Sequence, residues 1–397
     1  MILKNSNWIY YSYTTKEIIK YFSYKIFISR DKAHYEDFYN LIKYSTQRYI
    51  ITEKNGKLYG EEKPHEALKE NKLVLVQRLE KGKGLESSIL DAFKKIQANS
   101  IINKGDKVAI KVNLGGGIDY IPTTYSDPII CEAIIRVVKK LGGKPFVCEA
   151  NMRARIINKK LLKIRGYWNM LKRNHCEFVN LSKYSTVLMK CFNLKVNLKL
   201  PEILLKPEVK IISFAPPKHH WECGITCNQK NMYGAIAEFK KSIYHRKYNR
   251  IDKAVAAAAR IMAPDINILA AFDLGIGVGP HFVYSLENFN RMIISKDMIR
   301  GDNVASEILG YPFHLVKYAM INCKGKFDDY VLHQDSNWPE DDILNKIKEN
   351  AFDRGGVNFW KPTLYLQYFL PHNFQIWLFP RMEFFFTWIN REFYKKI

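Results

Sequence analysis

His219 and His220 stand side by side, and Cys223 and Cys227 follow four residues apart. Lys218, Lys230, Asn231 and His245 share the same stretch, SFAPPKHHWECGITCNQKNMYGAIAEFKKSIYH, residues 213–245. Histidine exchanges protons near neutral pH, and histidine with cysteine is a ligand set for zinc, iron or nickel. Two chemistries are therefore open. In one, His220 is an acid/base or ligand contact and the cysteines pack as neutral thiols. In the other, His219, His220, Cys223 and Cys227 hold a divalent or transition metal, with the two cysteines one helical turn apart. Lys218 and Lys230 flank the loop and suit an anion clamp for phosphate or carboxylate. Asn231 is placed to position a substrate or a backbone turn. Tyr233-Gly234 is expected to open a helix, and His245 to complete the pocket. Lys240 and Lys241 read most simply as surface charge.

Three further segments end an apolar run on polar residues. VAIKVNL delivers Lys111 and Asn113, with Thr123 and Thr124 just beyond. KPFVCE delivers Glu149, followed by Asn151. INILAAFD delivers Asp273, followed by GIGVGP, whose glycine spacing is not a dinucleotide fingerprint; it reads as a tight loop or as a close backbone approach to a ligand. Ligands in open α/β sheets bind outside the carboxyl ends of strands, so four strand ends carrying Lys111/Asn113, Glu149, Lys218/His220 and Asp273 predict one site.

The elements that must position these groups alternate. LVLVQ from Leu73 reads as a strand, Leu85–Ala98 as an amphipathic helix, VAIKVNL as a strand, Pro128–Leu141 as a helix closed by Gly142-Gly143, and KPFVCE as a strand. VKIISF, an Ala-rich helix from Asp252 to Met262, INILAAF and Ile293-Ile294 continue the rhythm. Asp302 is expected to cap a helix ending at Gly310, and Pro312 to open the next. This rhythm predicts an α/β fold, Rossmann-like, with a mostly parallel sheet and flanking helices. Residues 1–70 read as an N-terminal extension with a helix through Ile18, Ile19, Phe22 and Ile26. Residues 72–325 form the α/β domain, and residues 326–397 lead into an aromatic tail from Phe359. That tail fits an interfacial membrane anchor or an apron docked on the domain.

The formal net charge is +23, which directs attention to anionic partners. Residues 152–210 hold 14 Lys/Arg against 3 Asp/Glu. They form either a solvated basic face or an electrostatic funnel. Their aromatics are not interleaved with the cations as in RNA-binding modules, so specific nucleic-acid recognition is not expected. Seven cysteines scattered over 397 residues argue for free thiols in a cytoplasmic compartment. No apolar run is long enough to span a bilayer, which leaves peripheral contact through the tail as the membrane expectation.

The ordered motifs resemble those of the domain-of-unknown-function family 362 over residues 72–325. The landmarks are LVLVQ, GDKVAIKVNL, TTYSDP, VCEAN, PPKHHWECGITCNQKNMYG, KSIYH, FDLGIGVGP and GDNVASEILG. Lys218, His220, Thr226, Lys230, Asn231 and Gly234 match the family's pattern, which adds Thr226 to the expected contacts. His219 replaces a small polar residue and Glu307 an aspartate. The Cys-x-x-Cys modules of some members are missing, so no iron–sulfur role carries over. The resemblance also implies a distant similarity to the N-terminal domain of nickel-pincer lactate racemase, and with it an α/β fold and a cleft. The expected function is an enzyme acting on an anionic small molecule, with His220, Lys218 and Asp273 catalytic and metal-assisted redox or isomerase chemistry as its sharper form. The alternative is a basic binding or scaffold protein at a membrane surface or on a protein partner.

Overall fold

A computed structural model describes residues 42–115, 122–152, 156–220, 222–238, 241–245, 250–279, 282–324 and 330–349. The expected helix near Ile18 and the aromatic tail from Phe359 lie outside the described residues.

In chain order, β1 (Ile42–Ser45), β2 (Tyr49–Lys54) and β3 (Lys57–Glu62) form a meander. Then come β4 (Leu73–Arg78), α1 (Leu85–Lys95), β5 (Lys107–Val112), α2 (Pro128–Lys140), β6 (Lys144–Glu149), α3 (Lys159–Ile164), α4 (Tyr167–Arg173) and β7 (Glu177–Asn180). Next are β8 (Thr186–Lys190), β9 (Asn197–Pro201), β10 (Val209–Ala215), β11 (Lys218–His220), β12 (Gly224–Thr226), α5 (Asn228–Gly234) and α6 (Arg250–Ile261). The described chain closes with β13 (Ile266–Ala271), β14 (Leu274–Val278), β15 (Phe282–Leu286), β16 (Arg291–Ser295), α7 (Met298–Ile308), α8 (Lys317–Cys323), β17 (Val331–Leu332) and α9 (Asp341–Glu349).

The main sheet has eight strands in the order β17-β4-β16-β13-β10-β5-β6-β7. Strand β16 runs antiparallel to both neighbours, and every other pairing is parallel. The fold is therefore α/β, with a mostly parallel sheet and flanking helices, as expected. Its central strands are continuous apolar runs because both faces are covered. Every residue of β13 is buried, and so is every residue of β5 after Lys107. Helices α1, α2 and α4 cover one face, while α5 to α8 contribute to the core on the other. Helix α2 starts where Pro128 follows Asp127, whose carboxylate accepts the Ile129 amide at 2.7 Å.

The chain reverses its direction of travel across this sheet. From β5 it moves outward through β6 to β7, then returns to lay β10 on the other side of β5 and β13 beyond it. The β5/β10 junction is thus a topological switch point, where strand ends leave a crevice.

A second, five-stranded sheet has the order β1-β2-β3-β8-β9. The β3–β8 pairing is parallel and joins Leu58–Glu61 to Val187–Lys190. Part of the segment read as an N-terminal extension is thus tied to the basic region 152–210. The lysines there serve in part as outward partners in alternating strands: Val187 and Met189 point in while Lys190 is exposed.

Several local expectations change. Met298 begins α7, because the carboxylate of Asp297 accepts the amides of Ile299 and Arg300 at 2.8 and 2.9 Å. Asp302 lies inside that helix and caps a different one. Its carboxylate accepts the amides of Asn228 at 2.7 Å and Gln229 at 3.1 Å, at the start of α5. Tyr233-Gly234 closes α5 instead of opening a helix. Pro312 precedes a short 3-10 turn, and α8 begins only at Lys317. The Gly-rich run after Asp273 forms the β14–β15 hairpin.

Candidate functional site

Three side chains stitch the switch point. Asn231, on α5, donates its amide to the Lys111 carbonyl of β5 at 2.9 Å, and to Ser213 Oγ at 3.0 Å and the Phe214 carbonyl at 3.4 Å on β10. Ser126 accepts the Asn113 amide at 2.8 Å and donates to the Phe214 carbonyl at 2.9 Å. Lys111, at the end of β5, donates to Asn231 Oδ1 at 3.1 Å and pairs with Glu149 at 2.8 Å, with both side chains buried. Glu149 also receives the amides of Leu114 at 3.1 Å and Ala150 at 2.9 Å. Gly234 leaves room for this pair: a Cβ would lie 2.9 Å from Lys111 Nζ and 3.1 Å from Glu149 Oε1, so a side chain there would displace one or the other.

The β11–β12 hairpin rises from the end of β10. Its register sets Lys218 opposite Thr226 and His219 opposite Ile225. Side chains alternate between faces, so Lys218, His220 and Thr226 share one face and His219 takes the other. There His219 bonds the Leu309 carbonyl at 2.9 Å, and burial pushes its pKa down to about 4. Lys218 Nζ reaches Asn113 Oδ1 at 3.2 Å, the Gly115 carbonyl at 3.4 Å and the carbonyl of Thr124. His220 Nδ1 receives the amides of Glu222 and Cys223, each at 3.2 Å. Two donors on Nδ1 place the proton of the neutral ring on Nε2.

The electrostatics are lopsided. Burial drives the Lys218 amine down to about 7, with Lys230 and Arg165 adding to the depression and Glu149 opposing it. Burial likewise takes Lys241 to about 7, where Glu149 opposes and Lys111 and Lys230 add. Lys241 bonds the Gly234 carbonyl at 2.7 Å and is 4 % exposed, so it is a core group, not the surface charge expected. Arg165, 1 % exposed, bonds the Leu114 carbonyl and lies 4.5 Å from the Tyr125 ring centroid. Lys230 is half-buried, its ammonium 5.5 Å from the Tyr233 ring centroid. Among the described residues, five cations, Lys111, Arg165, Lys218, Lys230 and Lys241, thus share a neighbourhood with two carboxylates, Glu149 and Glu238. Beyond Lys230 lie Asp252, Glu222 and Lys317, with the Asp252 pKa raised to about 6 chiefly by burial. Among these described residues, cations lead even with the last three included.

The sequence-expected residues divide. Lys111, Glu149 and Asn231 meet directly, Lys218 meets Asn113, Thr226 and His220 share the Lys218 face, and Lys230 lies within electrostatic reach. Thr124 takes part through its backbone carbonyl. Asp273 turns elsewhere: its carboxylate accepts the Asn288 amide at 3.0 Å, across the base of the β14–β15 hairpin. The side chain of His245 lies outside the described residues. The His219, His220, Cys223, Cys227 set does not assemble. The two cysteines flank β12 and are not on one helical turn, and His219 faces away. Burial raises both thiols well above their ordinary pKa, so they stay protonated. Among the described residues, no three His, Cys, Asp or Glu side chains are grouped to hold a metal ion. Arg165, Ser126 and Ser213 escaped the sequence reading, and Lys241 reads there as surface charge. Arg165 was visible as one of the 14 cations in residues 152–210 and Lys241 as part of the KSIYH landmark, but nothing in either string says which lysine or arginine turns inward.

Among the described residues, no helix is long and apolar enough to cross a membrane. A thylakoid-associated protein of Synechocystis sp. is 25 % identical over 216 residues, which are 53 % of this chain and 65 % of that relative. The chain thus spans a little under two thirds of the relative's length. The profile of the family described as Domain of unknown function (DUF362) matches residues 108–307, from β5 into α7. That interval contains every strand end and lysine of the cluster described above, and the chain belongs to this family.

Proposed function

We propose that the crevice at the β5/β10 switch point binds an anionic small molecule bearing phosphate or carboxylate, and that the chain is an enzyme acting on it. One observation carries this reading: Lys218 and Lys241 are buried beside three further cations, with fewer carboxylates than cations among the described residues around them. Uncompensated buried charge is costly, and an anionic ligand relieves it. The bound anion would be held by Lys218, Lys230 and Lys241, while Glu149 keeps Lys111 in place. His220 would enter as a hydrogen-bond donor through Nε2, because its Nδ1 is committed to two amides. Preorganised cations at a strand-end crevice are suited to stabilising negative charge that develops during reaction. All seven cysteines are unpaired and buried, which supports a reducing, cytoplasmic setting.

Calorimetric titration of the full chain with phosphate, sulfate and malonate tests this reading. Binding of at least one, lost in Lys218→Met, is expected. Indifference to all three would sink it. His220→Ala then separates enzyme from binding protein. Once a consumed compound is found, turnover should collapse while the melting temperature holds.

The name of the Synechocystis relative favours a second reading, peripheral association with a membrane. Flotation with anionic liposomes, with and without residues 359–397, distinguishes it: a tail-dependent shift supports membrane association, and no flotation removes it.

A further inference from the structure

The lysine cluster has neighbours that its charge alone does not explain. Thr226 is 4 % exposed and its hydroxyl has no hydrogen-bond partner. It stands across the hairpin from Lys218, on the same face. Thr123, 6 % exposed, also carries a hydroxyl without a partner. It adjoins Thr124, whose carbonyl receives Lys218, but its hydroxyl lies beside Gly275 of β14, so Thr226 is the donor on the lysine face. Buried hydroxyls are normally satisfied, and an exception at a site calls for a missing acceptor. The acceptor that fits is constrained in three ways. The excess of cations over carboxylates among the described residues calls for more than one negative charge. Four of the five cations are lysines, point charges that can surround a group from several sides, whereas planar carboxylates favour the arginine fork. The neutral donor requires a further oxygen after the cations are served. A phosphoryl group, with about −1.5 to −2 charge near neutral pH and three acceptor oxygens, meets all three.

We infer that the cluster takes a phosphoryl group, with Lys218, Lys230 and Lys241 as its cationic contacts and the Thr226 hydroxyl as its neutral donor. This rests on the anion reading above and narrows it. Phosphoryl groups reach such a site as inorganic phosphate or as a phosphate monoester, and the site chemistry is shared by both.

The test titrates the full chain at pH 7 with inorganic phosphate, glycerol phosphate and malonate, using wild type, Thr226→Val and Thr226→Ser. Malonate controls for charge because it is also a dianion. The expected result is that at least one phosphoryl probe binds about tenfold or more tighter than malonate. Thr226→Val should weaken that probe about tenfold and leave malonate unchanged, and Thr226→Ser should restore binding. Tighter binding of inorganic phosphate than of the ester identifies free phosphate as the ligand, and the reverse identifies a monoester; either supports the inference. Malonate binding as tightly as both phosphoryl probes, or phosphoryl binding indifferent to Thr226→Val, overturns the phosphoryl assignment and leaves the anion reading standing. Failure of all three probes to bind wild type overturns both. Should Thr226→Val not fold, Thr226→Ala replaces it on the same criterion.

Discussion

Two buried glutamates, Glu62 and Glu149, differ in the company they keep. Glu62 ends β3, and Arg260 of α6 grips it with both arms at 2.6 and 3.0 Å, while the Phe192 amide adds a third bond at 2.7 Å. One carboxylate meets one guanidinium in a matched fork that fastens the five-stranded sheet to the helical layer. Glu149 has a comparable set of its own, Lys111 and two amides, but it sits in a neighbourhood with four more cations. A pair whose charges balance can be explained by packing alone. A group with surplus positive charge cannot, and the surplus among the described residues lies at the strand ends where the sheet reverses its winding.

The comparison predicts a graded set of outcomes. Arg260→Met leaves the buried Glu62 without its guanidinium, with the His65 ring 3.8 Å away, and should cost about 3–5 kcal/mol in urea denaturation, with anion affinity unchanged; a loss below ~1 kcal/mol would remove the contrast. Gly234→Ala forces a methyl against the Lys111–Glu149 pair and should cost about 1–3 kcal/mol while also weakening anion binding. Unchanged binding would show that the pair's position does not matter to the ligand. Lys218→Met removes a buried charge but also leaves the Asn113, Gly115 and Thr124 oxygens without their donor, so it should cost the ligand-free protein about 1–3 kcal/mol and abolish binding. A variant that still binds would reverse the roles assigned here.

The smallest effect lies in the pH dependence. The amines of Lys218 and Lys241 titrate near pH 7 in the folded chain and near 10.5 when unfolded. Between those values the unfolded chain holds more protons, so stability without ligand should rise with pH over this window and level off outside it. Lys218→Met should flatten part of that rise, measured as melting temperature against pH. A bound anion favours the ammonium forms, so binding should take up protons above pH 7, seen as a buffer-dependent binding enthalpy.

The strands that hold the site were legible because burial on both faces leaves apolar runs. KPFVCE matches β6 residue for residue, and VKIISF falls within β10. The five-stranded sheet was not legible. Its parallel pairing joins Leu58 to Val187, far apart in the chain, and the lysines of β8 and β9 disguised alternation as a basic face. Lys218 and Asn231 could be singled out because they lie in an unusual stretch. Lys241 could not, since a lysine's burial depends on what folds over it. The cysteines drew attention by type, yet β12 separates them and burial keeps both protonated.

Asn231 offers a timepiece. Its side-chain amide bonds β5 and β10 at once and has no exposed surface. Such protons exchange with solvent only when the structure around them opens. The lifetime of that NH2 signal in heavy water therefore clocks how often the two strand ends part, and a ligand that closes the crevice should slow it.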